Sequence, residues 1–209
     1  MVHRGVVLRC TWRFEREAFA CGHRAVAGVD EVGRGALCGP VVAGAVILGQ
    51  DFDTRGLDDS KRLTRLQRER LAGRIRERAC AWAIGRADPG EIDRFNILRA
   101  TLLAMRRAVA ALAQRPDLIL VDALTVPELE PPQQAIVRGD ALSVSIAAAS
   151  IVAKVVRDEL MRDCDTRYPG YGLARNMGYA SRDHREALRR LGPSEIHRRS
   201  FQGTQAWLF

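Results

Sequence analysis

Residues 143–162 read as a helix that is apolar almost all the way round, and such a helix has to be covered on every side. One polar line breaks the cover. Ser150, Lys154 and Asp158 recur at intervals of four and so share a face. A buried charge without a partner is strongly destabilising unless it is neutralised. Lys154 and Asp158 are therefore either a plain i,i+4 ion pair or part of a site that supplies further partners.

Short valine-rich runs provide the cover. Residues 25–30 (AVAGVD) and 41–48 (VVAGAVIL) read as strands of a buried sheet, joined across the turn Gly33-Arg34-Gly35. Residues 80–86 and 134–137 are further strand candidates, and 118–121 (LILV) is a fully apolar strand that ends on Asp122. Ser60 reads as the cap of a helix running to about residue 79, with Leu63, Leu66, Leu71 and Ile75 facing inward. A single long helix is expected over 91–113, with Ile97, Leu98, Leu102, Met105 and Val109 on its apolar side. Ser181 caps a last helix that stops at Gly192-Pro193. Strands that come first and then alternate with helices predict an α/β chain, a mixed sheet with helices packed on it. Residues 1–24 are mixed and charged, a lead-in without a pattern of its own.

Two strand ends carry acids. Asp122 closes one apolar strand, and Asp30-Glu31 closes another, the position where open α/β sheets hold their ligands. Neighbouring strand residues face opposite ways, so Asp30 and Glu31 share a site only if the chain turns at Glu31, as Gly33 permits. Alone, Asp122 reads as a strand-end turn residue. With Asp30, Glu31 and Asp158 it makes a set of carboxylates that cannot all stay ionised without cations. Oxygen donors suit hard divalent ions, and no histidine or cysteine cluster in the sequence offers a softer site. Two Mg²⁺ ions roughly 3.5–4 Å apart would clamp the attacking and leaving oxygens of a phosphodiester hydrolysis.

The formal charge of +8 points to a polyanionic partner, although nearly all of it is arginine, which a skewed genome composition would also produce. Lys61 and Lys154 are the sole lysines. The 5 cysteines are scattered without a C-x-x-C pair, which argues against a disulfide framework or a zinc site. No apolar run reaches membrane-spanning length and no signal-peptide pattern opens the chain, so a cytoplasmic protein without membrane contact is expected.

The series Gly28-Val29-Asp30-Glu31-Val32-Gly33-Arg34-Gly35, Asp59-Ser60-Lys61, Val121-Asp122, Ser150 to Lys154 with Arg157-Asp158, Gly178-Tyr179, and Ile196-His197-Arg198 with Ser200-Phe201 resembles ribonuclease HII. The resemblance implies a ribonuclease H-like fold, a mixed five-stranded sheet flanked by helices, with a small helical C-terminal region. It divides the chain into the lead-in 1–24, a catalytic domain over 25–165, a substrate-contacting region over 166–204 and a tail over 205–209. It implies an endoribonuclease acting on RNA–DNA hybrids and on duplex DNA that carries ribonucleotides, cutting 5′ of the ribonucleotide to leave 3′-hydroxyl and 5′-phosphate ends. Asp30, Glu31, Asp122 and Asp158 correspond to the family's acids for two Mg²⁺ or Mn²⁺ ions. Gly33, Arg34 and Gly35 correspond to the element that reads the 2′-hydroxyl, and Tyr179 to the tyrosine on the adjoining deoxyribose. Lys61 reads as a phosphate contact, with Ser150 and Lys154 as organisers of the acids. His184 and His197 read as structural. The competing readings are a ribonuclease HIII type, disfavoured by Arg34 and the short lead-in, and a non-catalytic hybrid-binding module, which gains nothing from clustered acids. The protein is expected to be a monomer.

Gln205, Leu208 and Phe209 resemble the bacterial sliding-clamp-binding pentapeptide. The other reading of this apolar end is docking on the protein's own body.

Overall fold

The computed structural model describes residues 10–205, the side chain of Gln205 excepted. The clamp-binding expectation for Gln205, Leu208 and Phe209 lies outside the described side chains.

Five strands form one sheet in the order β3-β2-β1-β4-β5. They are β1 (Val26–Val32), β2 (Val41–Ile47), β3 (Ala81–Ala87), β4 (Leu118–Asp122) and β5 (Gln133–Ile136). β1, β2 and β3 pair antiparallel, whereas β4 joins β1 and β5 joins β4 in parallel. The sheet is thus mixed, as expected. β2 is buried along its whole length, which explains why valine and alanine occupy both of its faces.

Helices cover the two faces. α5 (Val144–Arg167) lies across β1 and β2 on one side, with α2 (Arg65–Arg78) beside it. α4 (Ile97–Ala110) covers the other side, packing Ala100, Ala104, Met105 and Ala108 against Val29, Ala43, Ala45, Ile119 and Val121. From Val144 to Ala153 every residue of α5 is buried, so the helix is covered as its composition requires.

Three expectations need correction. Residues 1–24 are not patternless: α1 (Arg13–Ala20) sends the fully buried Glu15 to the N-terminus of α5. There its Oε1 accepts from the Ser143 hydroxyl at 2.5 Å and the Ser145 N–H at 2.9 Å, a carboxylate where the helix dipole favours one. The helix over 91–113 is two helices, α3 (Pro89–Phe95) and α4, broken at Asn96 with φ of +72°. Asn96 ends one helix and caps the next, its side chain accepting from the Arg99 N–H at 3.1 Å. This break leaves Leu98 exposed. Thr64, not Ser60, caps α2, forming a reciprocal capping box with Gln67. Leu66 faces outward, while Leu71, Ala72 and Ile75 form the inner side.

The C-terminal part holds α6 (Leu173–Asn176), α7 (Arg182–Leu191, capped by Ser181 as expected) and α8 (Gln202–Gln205). A third apolar cluster joins it to the loop after β1 through Leu37, Cys38, Met161 and Leu173. All five cysteines are free.

Candidate active site

The acids meet where β1 and β4 end side by side. Parallel pairing sets Val29 against Val121, which carries the following residues, Asp30 and Asp122, to the same end of the sheet. Gly28 faces α5 and Val29 faces α4, so the pleat puts Asp30 on the α5 side and Glu31 on the α4 side. The turn expected at Glu31 does not occur there, yet Asp30 still feels the charge of Glu31 across the end of the strand, so the condition set for a shared site was too strict. β1 stays paired with β2 through Val32, and the chain turns at Gly33, with φ of +92°.

Asp30 is 4% exposed. Its Oδ1 accepts from the Glu31 N–H at 2.7 Å, and the nearby Ser150 side chain favours its charged form. Ser150 also shares a 3.0 Å hydrogen bond with Ser60, which ties α5 to the segment before α2. Burial pushes Asp30 well above the usual carboxylate range, and the charge of Glu31 adds to the rise. Burial also raises Glu31, against the pull of Arg34, whose guanidinium lies 3.2 Å from Oε1. Glu31 Oε2 is buried without a hydrogen-bond partner. Asp122 is raised by burial too, although its Oδ1 accepts from the Gly139 N–H at 2.7 Å.

Asp158 stands differently. Its Oδ1 accepts from Lys154 Nζ at 2.6 Å, and Arg68 lies 3.9 Å from Oδ2, so the i,i+4 ion pair is formed. Among the described residues, no three of the four carboxylates lie within 4.8 Å of one another. Asp30, Glu31 and Asp122 feel each other's charge; Asp158 is balanced by its own cations.

Lys61 is mostly exposed and reaches Asp140 at 3.1 Å and Asp59 at 3.9 Å. Asp140, which the sequence reading missed, adds to the rise of Asp122. Only its place shortly after β5 could have drawn attention to it.

The turn after β1 and the segment carrying Tyr179 are joined. Ala36 bridges Tyr179, Cys38 bridges His197, and the Leu37 N–H donates to the Gly178 carbonyl at 2.8 Å. The Tyr179 ring is 37% exposed, so a face remains for a ligand. The Arg34 side chain is exposed, and among the described residues Glu31 alone holds it.

Cys38, His184 and His197 bring a sulfur and two imidazoles within 4.8 Å, but their hydrogen bonds argue against a metal. The Ser194 N–H donates to His197 Nδ1 at 3.0 Å, which places that ring's proton on Nε2. It points at His184 Nε2, 3.1 Å away, while His184 Nδ1 donates to the Tyr179 carbonyl at 2.9 Å. One pair of neutral tautomers satisfies every ring nitrogen. Burial lowers both histidines, His197 to about 4, with His184 adding to that shift. The unfolded chain therefore binds more protons between about 4 and 6.5, and stability falls as pH drops through that window. Relative to the parent, the melting temperature of His197→Asn should therefore rise by several degrees between pH 7 and pH 5, which melting curves of both proteins at the two values would show.

A family model described as ribonuclease HII matches residues 27–204. A ribonuclease HII of Anaeromyxobacter sp. is 56% identical over 198 residues, covering 95% of this chain and 63% of that relative. The ribonuclease H2 of Pyrococcus horikoshii superposes with a TM-score of 0.73 at 29% identity, covering 88% of this chain and 96% of that one. An Archaeoglobus fulgidus ribonuclease HII, solved in a complex with PCNA, gives 0.68 at 25% identity over 86% and 96% of the two chains. The fold is therefore the ribonuclease H-like one.

Proposed function

Because this chain belongs to the ribonuclease HII family, we propose that it is a metal-dependent endoribonuclease that cuts the RNA strand of RNA–DNA hybrids and the 5′ side of ribonucleotides embedded in duplex DNA. The observation that carries this reading is the group formed by buried Asp30 and half-buried Glu31 and Asp122 at one end of the sheet, with an unpartnered Glu31 oxygen. Carboxylates driven above their usual range by burial gain from a cation. All the donors are oxygens, which suits Mg²⁺ or Mn²⁺. Asp30, Glu31, Asp122 and Asp158 would hold the metal, Asp158 on exchanging its bond with Lys154. Two such ions would supply Lewis-acid activation of water and charge neutralisation at the leaving 3′-oxygen.

The chain's own groups do the rest. Ser60 holds Ser150 in place beside Asp30, where it favours the carboxylate's charged form. Arg34 exchanges Glu31 for a phosphate, which its planar fork can grip at two oxygens. Lys61, largely exposed beside Asp140, adds positive charge along the same backbone. Gly33, Arg34 and Gly35 read the 2′-hydroxyl, the one local feature that separates RNA from DNA. Tyr179 packs on the next sugar. Duplex DNA carrying one ribonucleotide should be cut once, on its 5′ side, with Mg²⁺ or Mn²⁺ and not with a chelator. An intact duplex in every lane would refute the reading.

The tail over 205–209 is read as a tether to the bacterial sliding clamp, supported by its likeness to clamp-binding peptides and by the archaeal relative solved with PCNA. Removing 205–209 should abolish co-elution with the clamp and leave cleavage of free duplex unchanged. Equal co-elution of the shortened and full chains would end this idea.

No described helix is long and apolar enough to cross a membrane. The protein is read as a cytoplasmic monomer.

A further inference from the structure

Arg157 and Arg198 are both fully buried, and among the described residues neither guanidinium forms an ion pair with a carboxylate. Every hydrogen bond they donate goes to a backbone carbonyl. Arg198 gives Nε to Gly39 at 3.0 Å, Nη1 to Arg34 at 2.8 Å and Nη2 to Gly33 at 2.7 Å. Arg157 gives Nε to Pro40 at 3.1 Å, Nη1 to Met177 at 2.9 Å and Nη2 to Cys38 at 3.4 Å. Its guanidinium also lies 5.3 Å from the Tyr179 ring centroid. Two like charges buried without counter-ions are a costly way to tie down a loop. The segments so tied are the turn after β1 and the strap that carries Tyr179.

The geometry of the turn shows what the ties achieve. In a trans peptide the carbonyl and the N–H point in opposite directions. Arg198 draws the carbonyls of Gly33 and Arg34 inward, which turns the amides of Arg34 and Gly35 the other way. Among the described residues neither amide has an acceptor, whereas the Ala36 N–H is used by the Gly33 carbonyl. Arg34 and Gly35 are exposed while Gly33 is buried, so both donors face outward. Arg157 closes the arrangement from below. A Cβ at Gly33 would stand 2.0 Å from its Nε, so the turn rests directly on this side chain.

We propose that Arg157 and Arg198 are positioning residues for ribonucleotide recognition, which lock the 33–35 turn and Tyr179 into one reader with its free amides outward. This rests on the reading of the turn given above. The two arginines touch no substrate; they set which way the amides point.

The test uses the full chain with Asp122→Asn, which suppresses turnover, and two labelled duplexes that differ by one ribonucleotide. Anisotropy titrations give the ratio of the all-DNA Kd to the ribonucleotide Kd. Arg198→Lys keeps the charge but cannot span three carbonyls. The ratio should fall by roughly tenfold, or to unity, about what one well-aligned hydrogen bond is worth, with all-DNA affinity little changed. A folded Arg198→Lys protein that keeps the parent ratio within twofold overturns the proposal. Loss of both affinities together also overturns it, since that marks a general structural role. If Arg198→Lys does not fold, Arg157→Lys and Phe201→Leu decide by the same ratio, since Phe201 lies 5.0 Å from the Arg198 guanidinium. A parent with no preference for the ribonucleotide would refute the reading of the turn itself, and the proposal with it.

Discussion

Asp122→Asn is expected to lower cleavage by at least about 10³-fold while hybrid affinity stays within a few-fold of the parent. The substitution is nearly isosteric, and the amide oxygen can still accept from the Gly139 N–H that now meets Oδ1. What it removes is the negative charge at the end of β4. Binding to a polyanion depends on the surrounding arginines and Lys61, and losing an anion does not weaken it. The same change should raise the melting temperature of the metal-free protein. Burial raises Asp122, Asp30 and Glu31 above their unfolded values, so the folded state binds more protons than the unfolded one as pH rises through the usual carboxylate range. Stability from these groups is present at low pH and is lost as pH rises through their folded values. The advantage of the variant over its parent should therefore be larger at pH 7 than at pH 4. Turnover within tenfold of the parent would remove Asp122 from the site, and a lower melting temperature at pH 7 would contradict the account of its burial.

The parts of this site that were legible in the sequence are those written by polarity contrast. Asp122 at the end of LILV and Ser150, Lys154 and Asp158 on an otherwise apolar helix stand out because burial makes each polar residue need a reason. The parts that were not legible have the opposite character. Arg157 and Arg198 stand inside the motifs, but in a chain where arginine supplies nearly all the positive charge nothing marked them as buried, and only their carbonyl partners reveal what they hold. The break at Asn96 was hidden because the apolar spacing runs on through it; a left-handed residue interrupts a backbone without disturbing its hydrophobic pattern. Thr64 and Gln67 did carry a capping-box signal, but Ser60 preceded them and drew the assignment four residues early. Leu66 was misplaced for another reason: at helical spacing it lies opposite Ile75, on the face turned to solvent.

Gly28→Ala should be among the most damaging single substitutions in the chain, although it adds one methyl group. A Cβ there would lie 2.0 Å from the Ser145 carbonyl carbon and 2.3 Å from the Ile146 nitrogen, backbone atoms that cannot swing aside. Gly44 on the next strand is in the same position, with the Ala149 carbonyl oxygen 2.5 Å from its would-be Cβ. The pair explains why α5 carries Ala147, Ala148 and Ala149 over this stretch: small residues on helix and sheet bring the two backbones into contact. The site depends on that contact. Asp30 pairs across the sheet with Gly44, and Ser150 follows Ala149, so the approach that needs glycine also delivers the Ser150 hydroxyl to the Asp30 carboxylate. Moving α5 outward by more than an ångström would cost at least the upper end of ordinary overpacking, about 3 kcal/mol, and at about 2–4 °C per kcal/mol the melting temperature should drop by about 6–12 °C. Gly73→Ala is the control. It lies inside α2 with nothing within 4 Å of its would-be Cβ, so the same methyl group should stabilise by about 0.5–1 kcal/mol. Equal melting temperatures for the two variants would mean that α5 does not rest on β1 as described, and the link from glycine to carboxylate would fail with it.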